Sequence, residues 1–200
     1  MRGEILMKEI YEKIWKLALP YQDKRNDEGH ARIVTSYAQE LLKSVKANPD
    51  IVIPAAMLHD TGWSQMPEKD RFLIFDPNKT PEQESKVRLK HEEEGSRIAQ
   101  MLLSALNYVQ LLTEQIKGII KGHDTRKEAI SLEDEIVRDA DKLWRYSKIG
   151  FWADIKRMKE ITPQQLCDKL EKNIEKEGFF FTEPAKNIAR EELKQRREEF

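Results

Sequence analysis

Apolar positions recur at three- and four-residue spacing along most of the chain, and the breaks between runs fall at proline, glycine and asparagine. From residue 4 to 19, Ile5, Ile10, Ile14, Trp15 and Leu17 keep helical spacing, and Pro20 closes the run. The next pattern opens at Gly29-His30 and carries Val34, Tyr37, Leu41 and Leu42, which places His30 on the inward face of a first turn. Asn48-Pro49-Asp50 interrupts it, with Asp50 the expected N-cap of a short apolar helix from Ile51 to Leu58 that runs into His59-Asp60. Periodicity is lost from Thr61 to about Lys86, where Pro67, Pro77 and Pro81 mark turns around Trp63 and Phe72-Leu73-Ile74-Phe75. So long a connection is functional or disordered. Its aromatic content predicts an ordered segment, either a flap over a site or a local hydrophobic plug.

Helical pattern resumes at about Arg88 with His91, Ile98, Met101, Leu102 and Leu106. A further helix carrying Leu111, Leu112, Ile116, Ile119 and Ile120 ends at Gly122-His123. Ser131-Leu132-Glu133-Asp134 resembles a capping box opening a helix that reaches Tyr146. Beyond Gly150 the pattern predicts a short helix from Phe151 to Met158. Another opens at Thr162-Pro163 and is stopped by Gly178, and a last one follows Pro184. Its end, Lys194 to Glu199, reads as a solvated, fraying terminus. Phe179-Phe180-Phe181 is expected to be buried. With no persuasive strand, the chain reads as all-α.

Composition narrows the class. Two hundred residues suit one domain of ordinary size, or one with an added arm. Charged residues make up 36% of the chain yet the net charge is only −1, a balance that argues against a general nucleic-acid binder. A single cysteine, Cys167, excludes an intramolecular disulfide and fits a reducing compartment. Charges interleave the N-terminal apolar residues, and no apolar run is long enough to span a bilayer. A cytoplasmic protein without membrane contact is expected.

Within this helical pattern the four histidines, His30, His59, His91 and His123, each stand near one end of a periodic stretch. His59 and His123 are each followed by aspartate, and Asp139 and Asp141 lie inside Val137-Arg138-Asp139-Ala140-Asp141-Lys142-Leu143, a helix that otherwise reads as core. Imidazole and carboxylate are the ligands that borderline divalent metals prefer. Convergence of these segments on one metal centre is the simplest reading.

The order His30, His59-Asp60, Asp141 resembles the HD-domain superfamily of metal-dependent phosphohydrolases over about residues 29–149. The resemblance implies an all-α HD-domain helical bundle, with a core at about 20–150 and a C-terminal helical arm at about 151–200. It implies His30, His59, Asp60 and Asp141 as ligands of a first metal, with Asp139 the alternative to Asp141. His91 and His123 resemble the extra histidines of members that hold a second ion, the HD aspartate bridging the two. The implied cofactor is one or two divalent ions of Fe, Mn, Co or Ni, with Mg less suited to so many imidazoles.

The implied reaction is hydrolysis of a phosphate ester, a nucleotide or small phosphorylated metabolite, by a metal-activated hydroxide. Asp60, His59 and Asp124 are the catalytic candidates. Asp124 either orients an imidazole or caps a turn. Lys142, Arg126, Lys121 and Arg145 are the candidates for substrate phosphate. The chain has no Gly-Tyr-Pro triplet, and Thr61-Gly62-Trp63-Ser64 follows the HD pair, so two known branches, the cyclic-dinucleotide phosphodiesterases and the guanosine-tetraphosphate hydrolases, fit poorly. The same residue order is also similar to HD-fold mixed-valence di-iron oxygenases, which is the alternative. The arm is open to three uses: a homodimer contact, a lid or additional core.

Overall fold

The most apolar helix of the chain occupies the centre of the fold. In α3 (Pro49–Leu58) every side chain from Ile51 to Leu58 is buried. Asn48, not Asp50, caps it, accepting from the Asp50 N–H at 2.9 Å. Proline at the first helical position has no N–H to be capped, so the capping residue is the one before it. The Asp50 carboxylate is freed to bind Lys8 and the Tyr11 hydroxyl. Pro54 lies inside α3 and cannot donate to the Asp50 carbonyl one turn back. The Tyr108 hydroxyl donates to that carbonyl instead, at 2.6 Å, so the defect is satisfied from outside the helix.

The computed structural model describes residues 8–158 and 161–200. Around α3 pack α1 (Glu9–Ala18), α2 (His30–Leu41), α6 (Gln110–Ile120) and α7 (Leu132–Leu143). A long α5 (Pro81–Ala105) lies against α6 and against the 3₁₀ turn Thr61–Gln65, with the short α4 (Glu68–Leu73) beside it. After the turn Trp144–Tyr146 come α8 (Lys148–Arg157), α9 (Pro163–Glu175) and α10 (Glu183–Arg197), and α10 packs on α9 and returns to α7. There is no strand among the described residues, so the all-α expectation holds.

Several boundaries differ from the sequence reading. The inward face of α1 is Tyr11, Ile14 and Ala18, while Leu17 is exposed and Ile5 lies outside the described residues. α5 starts at Pro81 rather than near Arg88. Thr80 and Gln83 form a reciprocal capping box there, and Pro81 sits at the first helical position instead of in a turn. α8 starts at Lys148, capped by Ser147, and runs through Gly150. A Cβ on Gly150 would lie 2.0 Å from the Trp144 carbonyl oxygen, so that glycine marks a close approach, not a stop.

The arm is additional core. Phe151, Leu166, Cys167, Leu170, Ile174, Phe180, Ala185, Ala189 and Leu193 join the same buried cluster as Ile14, Leu41 and Leu58. The charged end of α10 is docked, not fraying. Arg196 is buried against Glu192 and Glu199, and the Trp152 indole donates to Glu199. Long aliphatic stems let such residues cover apolar surface while their heads pair. No helix among the described residues is long and apolar enough to cross a membrane.

Candidate metal centre

Three helix ends and the middle of α5 meet at one point beside α3, so His91 is not near a helix end as the sequence pattern suggests, because α5 begins ten residues before it at Pro81. His30 is the first residue of α2, behind Gly29 in the left-handed conformation. His59 follows the last residue of α3, His91 lies in α5, and His123 sits in the turn after α6. The two segments carrying His59-Asp60 and His91 are held together by glycine. A Cβ on Gly62 would fall 1.9 Å from the His91 carbonyl oxygen and 2.5 Å from the Gly95 nitrogen.

All four imidazoles are buried and turn Nε2 inward. His30 and His59 Nε2 are 3.1 Å apart, and His91 and His123 Nε2 are 3.4 Å apart. Asp60 stands between the pairs. Its Oδ2 is 3.3 Å from His30 and 3.7 Å from His59, and its Oδ1 is 3.6 Å from His91 and 3.5 Å from His123. Asp141 Oδ1 completes the first group, 3.2 Å from His30 and 3.5 Å from His59. Asp124 Oδ2 joins the second, 3.6 Å from His91.

The surroundings fix these side chains. His59 Nδ1 faces the Ala56 carbonyl at 2.9 Å and His123 Nδ1 faces the Ile120 carbonyl at 2.8 Å. A carbonyl only accepts, so each Nδ1 carries a proton, and Nε2 is the ring atom left to face a cation. Trp63, in the segment expected to be a flap or a hydrophobic plug, is a buried wall of the centre. Its ring stacks on His91 at 4.1 Å, and its Nε1–H donates to Asp60 Oδ1 at 3.0 Å. Buried Glu92 accepts from the N–H groups of Asp124 and Thr125 and from the Thr125 hydroxyl, holding the turn that presents His123 and Asp124.

Protonation follows from this crowding. Burial opposes charge on His30 and His123, but the carboxylates of Asp141, Asp60 and Asp124 outweigh it and raise the two imidazoles to about 9 and about 10. Burial and the neighbouring His123 push His91 down to about 3. Burial also opposes ionisation of Asp60 and Asp141, yet Arg25 and the imidazoles hold Asp60, and His30 and His59 hold Asp141, well below the usual carboxylate range. Inward lone pairs and ionised carboxylates at 3–4 Å are a donor set that protons satisfy in the absence of a cation and that a divalent ion fits. Three groups can hold one: His30, His59 and Asp141; His59, Asp60 and His123; and His91, His123 and Asp124.

The HD-domain family model matches residues 28–145. This chain belongs to the HD-domain family. Its fold is similar to the crystal structure of a predicted HD superfamily hydrolase from an uncultured Thermotogales bacterium. The likeness has a TM-score of 0.58 and 21% identity, and covers 95% of this chain and 86% of that one. No curated protein matches.

In this HD domain the structure separates the two candidate acids of α7. Asp141 turns to the histidines, whereas Asp139 turns away and accepts from Phe181 N, Thr182 N and the Thr182 hydroxyl at 2.8–2.9 Å. A cavity of about 290 Å³ opens from the centre, lined by Lys142 and Arg145, two of the four phosphate candidates, and also by Arg25, Arg88 and Arg157. Arg126 and Lys121 are not in its lining. Arg126 is held by the buried Asp134 carboxylate and the Gly118 carbonyl, and Lys121 borders a separate groove on α5 and α6. Neither is placed to meet a substrate in the cavity.

Arg25, Arg88 and Arg157 escape the sequence reading. Arg88 is one turn before His91 and shares its face, a spacing that could have marked it. Arg25 lies in a polar connection and Arg157 in the arm, and only tertiary approach brings them here.

Proposed function

We propose that the protein is a metal-dependent hydrolase of phosphate esters, acting on a nucleotide or another small phosphorylated metabolite. Membership of the HD-domain family and the convergent His/Asp groups support a metal-dependent HD-type hydrolase, and the hydrolase named in the structurally similar Thermotogales protein agrees. His30, His59, Asp60 and Asp141 would hold one ion and His91, His123 and Asp60 a second, with Asp124 in reach of it. Bound divalent ions supply Lewis acidity, acidifying water and offsetting phosphoryl charge.

The observation that carries the phosphate reading is the charge of the cavity. Among the described residues its lining holds five cations, Arg25, Arg88, Lys142, Arg145 and Arg157, against five carboxylates, Asp27, Asp60, Asp124, Asp141 and Asp154. With His30 neutral, as a metal ligand must be, these charges balance, so any divalent ion leaves the wall positive and calls for an anion. Arg25 spans the two tasks. It binds Asp60 Oδ2 and Asp27 and lies 4.4 Å over the Trp63 ring, so it orients the central carboxylate while facing the cavity. Arg88 does the same for Asp124, at 2.6 Å.

The test is element-resolved metal analysis of protein purified anaerobically without chelator, followed by a phosphate-release screen. One to two divalent ions per chain and release of phosphate are expected, and Asp60→Ala should lose metal from both groups. Unchanged metal content in that variant would sink the assignment. Two irons per chain with oxygen consumption and no phosphate release would favour the oxygenase alternative.

A further inference from the structure

The charged side chains on the α8 side of the cavity are arranged unlike the rest of its lining. Arg25 faces two carboxylates, Asp60 and Asp27, and Arg88 faces Asp124 and Glu84 at 2.6 and 2.8 Å. At the α8 side of the cavity the ratio reverses. Asp154, 1% exposed, is shared by two guanidiniums, Arg145 on Oδ2 and Arg157 on Oδ1, each at 3.3 Å. Both contacts are long for charge-assisted hydrogen bonds, which run at about 2.7–2.9 Å. One buried carboxylate between two cations leaves a local surplus of one positive charge.

The geometry points to a second anion-binding subsite, formed by Arg145 and Arg157 around Asp154, that takes the distal carboxylate or phosphate of a doubly anionic phosphate ester. This rests on the phosphate-ester reading and narrows its substrate class. Arg157 is preorganised for the task. Its Nη2 donates to the Asn26 carbonyl at 3.0 Å, and its guanidinium lies 4.7 Å over the Phe75 ring. Burial holds that guanidinium below its ordinary value although Asp154 and, more weakly, Asp27 oppose the shift. An entering anion relieves such a group, and a neutral substrate end does not. Arg145 is half-exposed and able to turn toward a ligand. Both face the cavity that also holds His30, Asp60 and Asp141, so one small molecule can meet both ends. Asp154 and Arg157 lie beyond the HD-domain match, so the arm supplies two of the three residues of this subsite and Arg145, at the end of the match, the third.

The test is calorimetric titration of the metal-loaded full chain, under argon and at fixed ionic strength, with phosphonates that the hydrolase cannot cleave. The probes are ω-phosphonocarboxylates with two to five methylenes, α,ω-bisphosphonates of the same lengths, and the matching alkylphosphonates. At one chain length at least, the doubly anionic probe should bind roughly tenfold or more tighter than its alkyl partner, as expected for an added hydrogen-bonded charge. Whichever series gains more tells carboxylate from phosphate. The gain should shrink toward unity in Arg145→Gln and in Arg157→Gln, the first of which leaves the bonds to the Asn26 loop intact. Equal binding at every length, or a gain that survives both substitutions, overturns the subsite while leaving the phosphate reading in place. Failure of every probe, alkylphosphonates included, overturns that reading and the subsite with it.

Discussion

Two aspartates one residue apart from a shared alanine do opposite work. Asp139 is fully buried and accepts three hydrogen bonds from the Phe181–Thr182 segment, which leads into α10. Burial raises its carboxyl, while the Phe181 and Thr182 donors and Lys142 counter the shift. Truncating it leaves the buried Thr182 N–H and the partly buried Phe181 N–H unanswered, so Asp139→Ala should cost about 3 kcal/mol in urea unfolding while keeping its metal. Asp141→Ala should show the reverse, lost metal with a smaller change in stability. If Asp139→Ala instead released the metal from a stably folded protein, the assignment of the two acids would have to be exchanged. The sequence alone leaves this choice open, because both residues lie on a helix whose neighbours are distant in the chain. What separates them is the 100° rotation per residue together with the position of the arm.

Elements with strong local signals were legible. Helices capped by Ser131 and Thr162 begin where their side chains predict. All six expected metal ligands come to one place, five of them from at or near helix ends and His91 from the middle of α5. The start of α5 is less legible, since Pro81 reads equally as a turn or as a first helical residue until the Thr80–Gln83 cap is weighed. The connection before it is partly helical, and its Ile74 and Phe75 line the cavity while Trp63 forms a wall.

The contact between that turn and α5 is the most constrained joint of the site. Gly62→Ala would drive a methyl group into the His91 carbonyl and the Gly95 nitrogen, both backbone atoms that cannot swing away. A loss of about 3 kcal/mol is expected, with lower metal content because His91 shifts from Asp60. Gly118→Ala is the matched control. It lies inside α6 with its nearest neighbour an Ile130 methyl at 3.5 Å. There alanine should raise stability by about 0.5–1 kcal/mol through helix propensity. Equal effects of the two substitutions in thermal unfolding would show that the joint is not sterically tight.

At the scale of the whole molecule, the arm both closes the core and furnishes one side of the cavity. Its cations carry no local sign of that role, which is why the cavity wall was less legible than the ligands. Buried residues run in one cluster from Tyr11 in α1 to Leu193 in α10, with Phe180 packed 5.7 Å from the Tyr146 ring. A segment that shares its apolar surface with the bundle cannot separate without exposing that surface to water. The chain should therefore unfold in a single cooperative transition, with far-ultraviolet circular dichroism and tryptophan fluorescence tracing the same urea curve. Phe180→Ala, although in the arm, should lower that common midpoint by the equivalent of about 3–4 kcal/mol. Were the arm an independent unit, the substitution would split the curves, shifting an early transition of the arm and leaving the signals of α2, α3 and α7 in place.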